Sequence, residues 1–75
     1  MPDVRFTIVL RGYDIDQVHD LIRRANFALA LPDPAERAEM ARQLRRPDLR
    51  VRLRGYDRSQ VDSRLAVLAD QLSAA

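Results

Sequence analysis

The strongest constraint on this 75-residue chain is a phrase that occurs twice. Leu10-Arg11-Gly12-Tyr13-Asp14 returns as Leu53-Arg54-Gly55-Tyr56-Asp57, and the offset of 43 residues also relates Gln17-Val18 to Gln60-Val61. Upstream, Phe6, Ile8 and Leu10 align with Leu49, Val51 and Leu53. A constant register over so short a chain implies two copies of one structural unit packed on each other.

Each copy reads as a strand-to-helix corner. Gly12 and Gly55 supply backbone freedom for a sharp reversal. Asp14 and Asp57 are suited to cap a helix N-terminus, because a carboxylate accepts from the free N–H groups of the first turn. Three residues on, Gln17 and Gln60 are placed to reach back and complete a capping box. Tyr13 with Val18, and Tyr56 with Val61, occupy the two positions of a hydrophobic staple. Only Arg11 and Arg54 have no local task, so each either pairs with a nearby acid or faces a partner.

The remaining pattern gives the order β-α-α-β-α. Val4, Phe6, Ile8 and Leu10 alternate with Arg5, Thr7 and Val9, which predicts a strand over 4–10 with one buried side. Val18, Leu21, Ile22, Ala25, Ala28 and Leu29 form a helical stripe, and the predicted helix runs over 15–30. Phe27 lies off that stripe and is expected to pack on a neighbouring helix or a partner chain. His19, with no second ligand at metal spacing, reads as an ordinary boundary residue. Asp33-Pro34-Ala35-Glu36 starts a second helix after Pro32. Its thin face is Ala35, Ala38, Ala41 and Leu44, helped by Met40, and the short link makes the two helices a hairpin. Leu49, Val51 and Leu53 alternate with Arg50, Arg52 and Arg54 in a second strand. A third helix over 58–72 follows, with the stripe Val61, Leu65, Leu68 and Leu72.

These elements predict one α+β domain over 1–75, with repeats at about 4–30 and 47–73 joined by a helical hairpin segment, 31–46. The two strands are expected to pair as a ribbon covered on its apolar side by the three helices. Pseudo-twofold packing makes that ribbon antiparallel. A parallel pair through the helical hairpin, or a ribbon formed between two chains of a homodimer, stays open.

Composition narrows the function classes. There is no cysteine and a single histidine, and neither a Gly-rich phosphate loop nor a helix-borne metal pair occurs. The expectation is a protein that is not an enzyme and has no cofactor. No apolar run approaches the roughly 20 residues of a membrane span, so the expected location is cytoplasmic. All 13 basic residues are arginine. Seven of them lie between Arg42 and Arg58 with only two aspartates, a stretch able to meet phosphate or anionic lipid, or to be a solvated face.

The residues Phe6-Thr7, Arg11-Gly12-Tyr13-Asp14, Gln17-Val18 and Leu21-Ile22 resemble the N-terminal module of the DivIVA family. The second copy repeats the core at Arg54-Gly55-Tyr56-Asp57, Gln60-Val61 and Leu65. That resemblance implies a non-enzymatic module of bacterial cell division or polar growth, binding a protein partner and anionic membrane at the inner face of the cell membrane. It places the lipid-touching roles on Leu10 with Arg11 and on Leu53 with Arg54. The long heptad-bearing helix of that family has no counterpart here, since the first helix stops at Pro32. A second class is a ribbon-type nucleic-acid-binding protein, with Arg50, Arg52 and Arg54 as contacts.

Overall fold

The computed structural model describes residues 6–74. Five elements follow in the expected order: strand β1 (Ile8–Tyr13), helix α1 (Ile15–Leu29), helix α2 (Pro34–Arg45), strand β2 (Val51–Tyr56) and helix α3 (Arg58–Ser73). Helix boundaries fall within a residue or two of the sequence reading, because the caps that set them are explicit. The Asp14 carboxylate accepts from the Gln17 N–H at 3.0 Å, and Asp57 accepts from Gln60 at 3.1 Å. Asp33 accepts from Ala35 at 2.9 Å, with Pro34 in the first turn.

The core lies between the three helices. Val18, Leu21, Ala25 and Ala28 of α1 meet Met40, Ala41 and Leu44 of α2, and Val61, Leu65, Leu68, Ala69 and Leu72 of α3. The α1 and α3 stripes match the sequence reading, with Ile22 and Leu29 at the margin. The α2 face matches in part: Met40, Ala41 and Leu44 are buried as read. Ala35 and Ala38 are exposed, and the helix is turned so that Arg37, Met40, Ala41 and Leu44 point inward at helical spacing. Met40 and Leu44 carry most of the apolar area of this face, so burying them leaves the two alanine methyls of the first turns free to face water.

The strands depart further. They lie later than predicted, at Ile8–Tyr13 and Val51–Tyr56, so each takes in the Gly-Tyr expected to form the corner. Val4 and Arg5, placed in the first strand by their alternation, lie outside the described residues. The ribbon forms within one chain and is antiparallel: Ile8 stands opposite Tyr56, Val9 opposite Gly55, Leu10 opposite Arg54, Gly12 opposite Arg52 and Tyr13 opposite Val51. The ladder is irregular throughout. Tyr13 also pairs with Tyr56, like with like, in the parallel sense.

Both pairings hold because the strands are bent and interlocked. Gly55 faces Val9 across the ladder, yet its backbone also touches Gly12 and Tyr13. One residue can adjoin positions 9 and 12 in this way only if the first strand doubles back between them. The turn is at Arg11, the one described non-glycine residue with positive φ, at 60°. The pairing of Tyr13 with both Val51 and Tyr56 requires a similar bend in the second strand. The two bent strands therefore meet main chain to main chain at their glycines.

This corrects two expectations. Neither glycine has positive φ; they are needed for space, not for a left-handed turn. The apolar side of the ribbon is also not covered by the helices. Leu10 and Leu53 are 74% and 75% exposed, and Ile8 and Val51 are about half exposed. The ribbon meets the core through its ends instead: Phe6 and Leu49, on the approach to each strand, and Tyr13 and Tyr56, at the end of each, pack against it.

Candidate interaction surface: the interlocked tips

Four backbone groups fix the crossing, and each is satisfied by the other repeat. The Asp14 N–H donates to the Arg50 carbonyl and the Asp57 N–H to the Thr7 carbonyl, both at 2.8 Å. In return, the Arg50 N–H donates to Gln17 Oε1 at 2.8 Å, and the Thr7 N–H to Gln60 Oε1 at 2.7 Å. Gln60 Nε2 adds a bond to Thr7 Oγ1 at 3.1 Å. The capping box is thus opened. The cap N–H groups that the glutamines were expected to satisfy already bond the opposite strand, so the amides reach across as well. A backbone group at a crossing needs a partner, and the nearest free acceptor is on the neighbouring repeat.

The tyrosines cross over too. Tyr13 Oη donates to Asp62 Oδ1 on α3 at 2.9 Å, and Tyr56 Oη lies 2.6 Å from His19 Nε2 on α1. Burial, followed by the bond to Asp62, raises the Tyr13 phenol above its ordinary pKa. Tyr56 is held between the Phe6 ring, at a centroid distance of 5.2 Å, and the near-parallel His19 ring at 5.5 Å. The staple positions are therefore filled, with Val18 and Val61 fully buried, but the hydroxyls bind the other repeat's helix. His19, expected to be a plain boundary residue, is part of this join. Its 43-residue counterpart is Asp62, and both accept or share the hydroxyl of the crossing tyrosine. That equivalence was legible in the repeat alignment once the tyrosine was taken to face the opposite helix.

The arginines separate into two kinds. Arg52 Nε donates to Asp14 Oδ2 at 2.9 Å, joining the ribbon to the α1 cap. Arg50 contributes its main chain to the crossing, while its side chain is exposed. Arg11 and Arg54 form no ion pair with any described residue and stand exposed beside Leu10 and Leu53. The structure brings these four residues together at one end of the molecule, because Leu10 lies opposite Arg54 across the ladder.

The Asp14 carboxyl is held below the usual carboxylate range, first by the Gln17 N–H and then by Arg52. A carboxylate with a depressed folded pKa stabilises the fold fully above its unfolded value, and loses that contribution as pH falls through the folded one. Asp14→Asn should therefore be less stable than wild type at neutral pH and lose less on acidification below about pH 4. Urea unfolding at pH 7 and pH 3 measures the difference. A wild type and variant that lose stability in parallel would show that Asp14 contributes nothing through its charge.

Among the described residues no group of three or more metal-binding side chains is clustered, and no helix is long and apolar enough to cross a membrane. The fold and its surface define a small α+β domain with an internal pseudo-twofold and two exposed Leu-Arg tips. Comparison with known protein families, with curated proteins and with solved structures finds no match to this chain.

Proposed function

We propose that the chain is a non-enzymatic interaction module of DivIVA type, acting in bacterial cell division or polar growth, and that its paired tips dock on anionic membrane. One observation carries the reading: Leu10 and Leu53 are about three-quarters exposed, each beside an exposed arginine in the chain, and Leu10 lies opposite Arg54 across the ladder. Nothing in the fold requires leucine there. A leucine inserted among acyl chains contributes about 1.5–3 kcal/mol, and an arginine near an anionic surface about 1 kcal/mol. Two of each supply roughly 5–8 kcal/mol before any cost of ordering, which is an affinity of about 0.2 mM to 1 μM at best. Such a contact is weak and reversible, in keeping with a module that works when several copies act together.

The experiment is co-sedimentation with phosphatidylglycerol-rich and with phosphatidylcholine vesicles at low salt. Wild type should pellet with the anionic vesicles alone. Leu53→Ala/Arg54→Ala should lose on the order of a hundredfold in partitioning, and the corresponding change at both tips should abolish it. Equal pelleting of all three proteins, or of none, would remove the membrane reading. The nucleic-acid reading has less support, because Arg52 is tied to Asp14 and the ribbon bends back where a groove-reading ribbon runs straight. Retardation of duplex DNA at low salt, abolished by Arg50→Ala/Arg54→Ala, would reinstate it.

A further inference from the structure

A second exposed surface lies toward the other end of α1, away from the tips. Phe27 is 69% exposed although it is aromatic, and with Ala28 and Met40 it floors an apolar groove of about 440 Å³ between α1 and α2. Arg23 and Arg24 form the α1 edge of this groove; Glu36 and Glu39 form the α2 edge. One edge is therefore cationic and the other anionic. Asp20 pairs with both arginines and Arg42 with Glu39, but all these pairs are solvent-exposed and individually weak.

We propose that this groove is a homodimer interface, occupied by the same groove of a second copy. The charge pattern is self-complementary in one orientation only. A twofold axis lying along the groove sets the Arg23/Arg24 edge of each copy against the Glu36/Glu39 edge of the other, with the two Phe27 rings meeting in the middle. A twofold axis across the groove would oppose like charges. An isologous interface requires this kind of self-match, and a central aromatic within a polar rim is the usual composition of one. The permitted axis runs parallel to α1, so both copies keep their α1 N-termini, and hence their tips, at the same end. One dimer presents four Leu-Arg tips to one surface. The interface itself does not depend on what the tips bind.

Light scattering coupled to size exclusion, over a series of protein concentrations, tests the proposal. Wild type should approach twice the monomer mass as concentration rises. Phe27→Ser, a surface change expected to keep the wild-type circular dichroism, should stay monomeric. Glu36→Arg/Glu39→Arg makes both edges cationic and Arg23→Glu/Arg24→Glu makes both anionic, so each variant alone should be monomeric at low salt. Mixed in equal amounts, they should restore the dimer mass. A wild type that is monomeric at every concentration overturns the proposal. A dimer untouched by Phe27→Ser, or lost on changing Leu10 and Leu53, places the interface elsewhere and overturns it too. Failure of the two charge variants to recombine overturns the assigned orientation.

Discussion

Replacing either Gly12 or Gly55 with alanine should destabilise the protein by about 3 kcal/mol or more, and replacing both should abolish cooperative folding. A methyl group built on Gly12 falls well inside 3.0 Å of the Gly55 carbonyl and the Tyr56 oxygen; one on Gly55 meets the Gly12 carbonyl and the Tyr13 oxygen. These neighbours are main chain, so no side-chain rotation relieves the clash. Overpacking in a rigid setting costs about 1–3 kcal/mol, and a backbone-on-backbone clash belongs at or above the top of that range. A domain of this length holds only about 4–11 kcal/mol in all. Arg11→Gly is the contrasting case. Arg11 carries φ of 60°, which costs a non-glycine residue about 1 kcal/mol, so glycine there should leave stability unchanged or raise it. Thermal unfolding followed by circular dichroism reads all four proteins. Wild-type melting of Gly12→Ala would show that the two strands do not meet main chain to main chain at the glycines.

The contrast between these sites explains which parts of the structure were legible in the sequence. Helices were, because their signals are local: Asp14, Asp33 and Asp57 cap within three residues, and the Val61, Leu65, Leu68 and Leu72 stripe states its own period. The repeat made the pseudo-twofold legible, and with it the antiparallel sense of the ribbon. Partner choice was not. Gln17, Gln60, Tyr13 and Tyr56 each offered a short-range partner that fitted a known local motif, and each instead bonds the opposite repeat. Motif spacing ranks partners by distance along the chain, whereas the crossing brings residues 33 to 53 positions apart within hydrogen-bond range. The strand alternation misled for a related reason. Ile8, Leu10, Val51 and Leu53 have the spacing of a buried face, but a strand that reverses at its midpoint cannot keep that face against one layer of helices. For the tips, the sequence already supplied the residues. The structure adds that Leu10 and Leu53 are exposed and that Leu10 lies opposite Arg54, which brings together residues from distant parts of the chain.

The two repeats are not energetically equal, and the glutamines measure the inequality. Gln17 makes one bond across the crossing, to the Arg50 N–H, and Gln60 makes two, to the Thr7 N–H and hydroxyl. A net hydrogen bond contributes about 0.5–1.5 kcal/mol, more if its loss strands a backbone N–H. Gln17→Ala should therefore cost about 1 kcal/mol and Gln60→Ala about 2 kcal/mol. The double variant should lose about 3 kcal/mol, equivalent to a fall in Tm of roughly 12–24 °C in a domain of this size. The order of the single variants is the diagnostic result. Capping boxes would make Gln17 and Gln60 equivalent, since each would serve only its own helix. Thr7→Val removes the hydroxyl while keeping the main-chain N–H, and in that background the gap between the two glutamine variants should close. Equal destabilisation by both glutamine variants, unaffected by Thr7→Val, would mean that the amides serve their own caps and do not join the repeats. The join would then rest on the Asp14 and Asp57 N–H groups and the two tyrosine hydroxyls, and Tyr13→Phe/Tyr56→Phe would become the more damaging pair of changes.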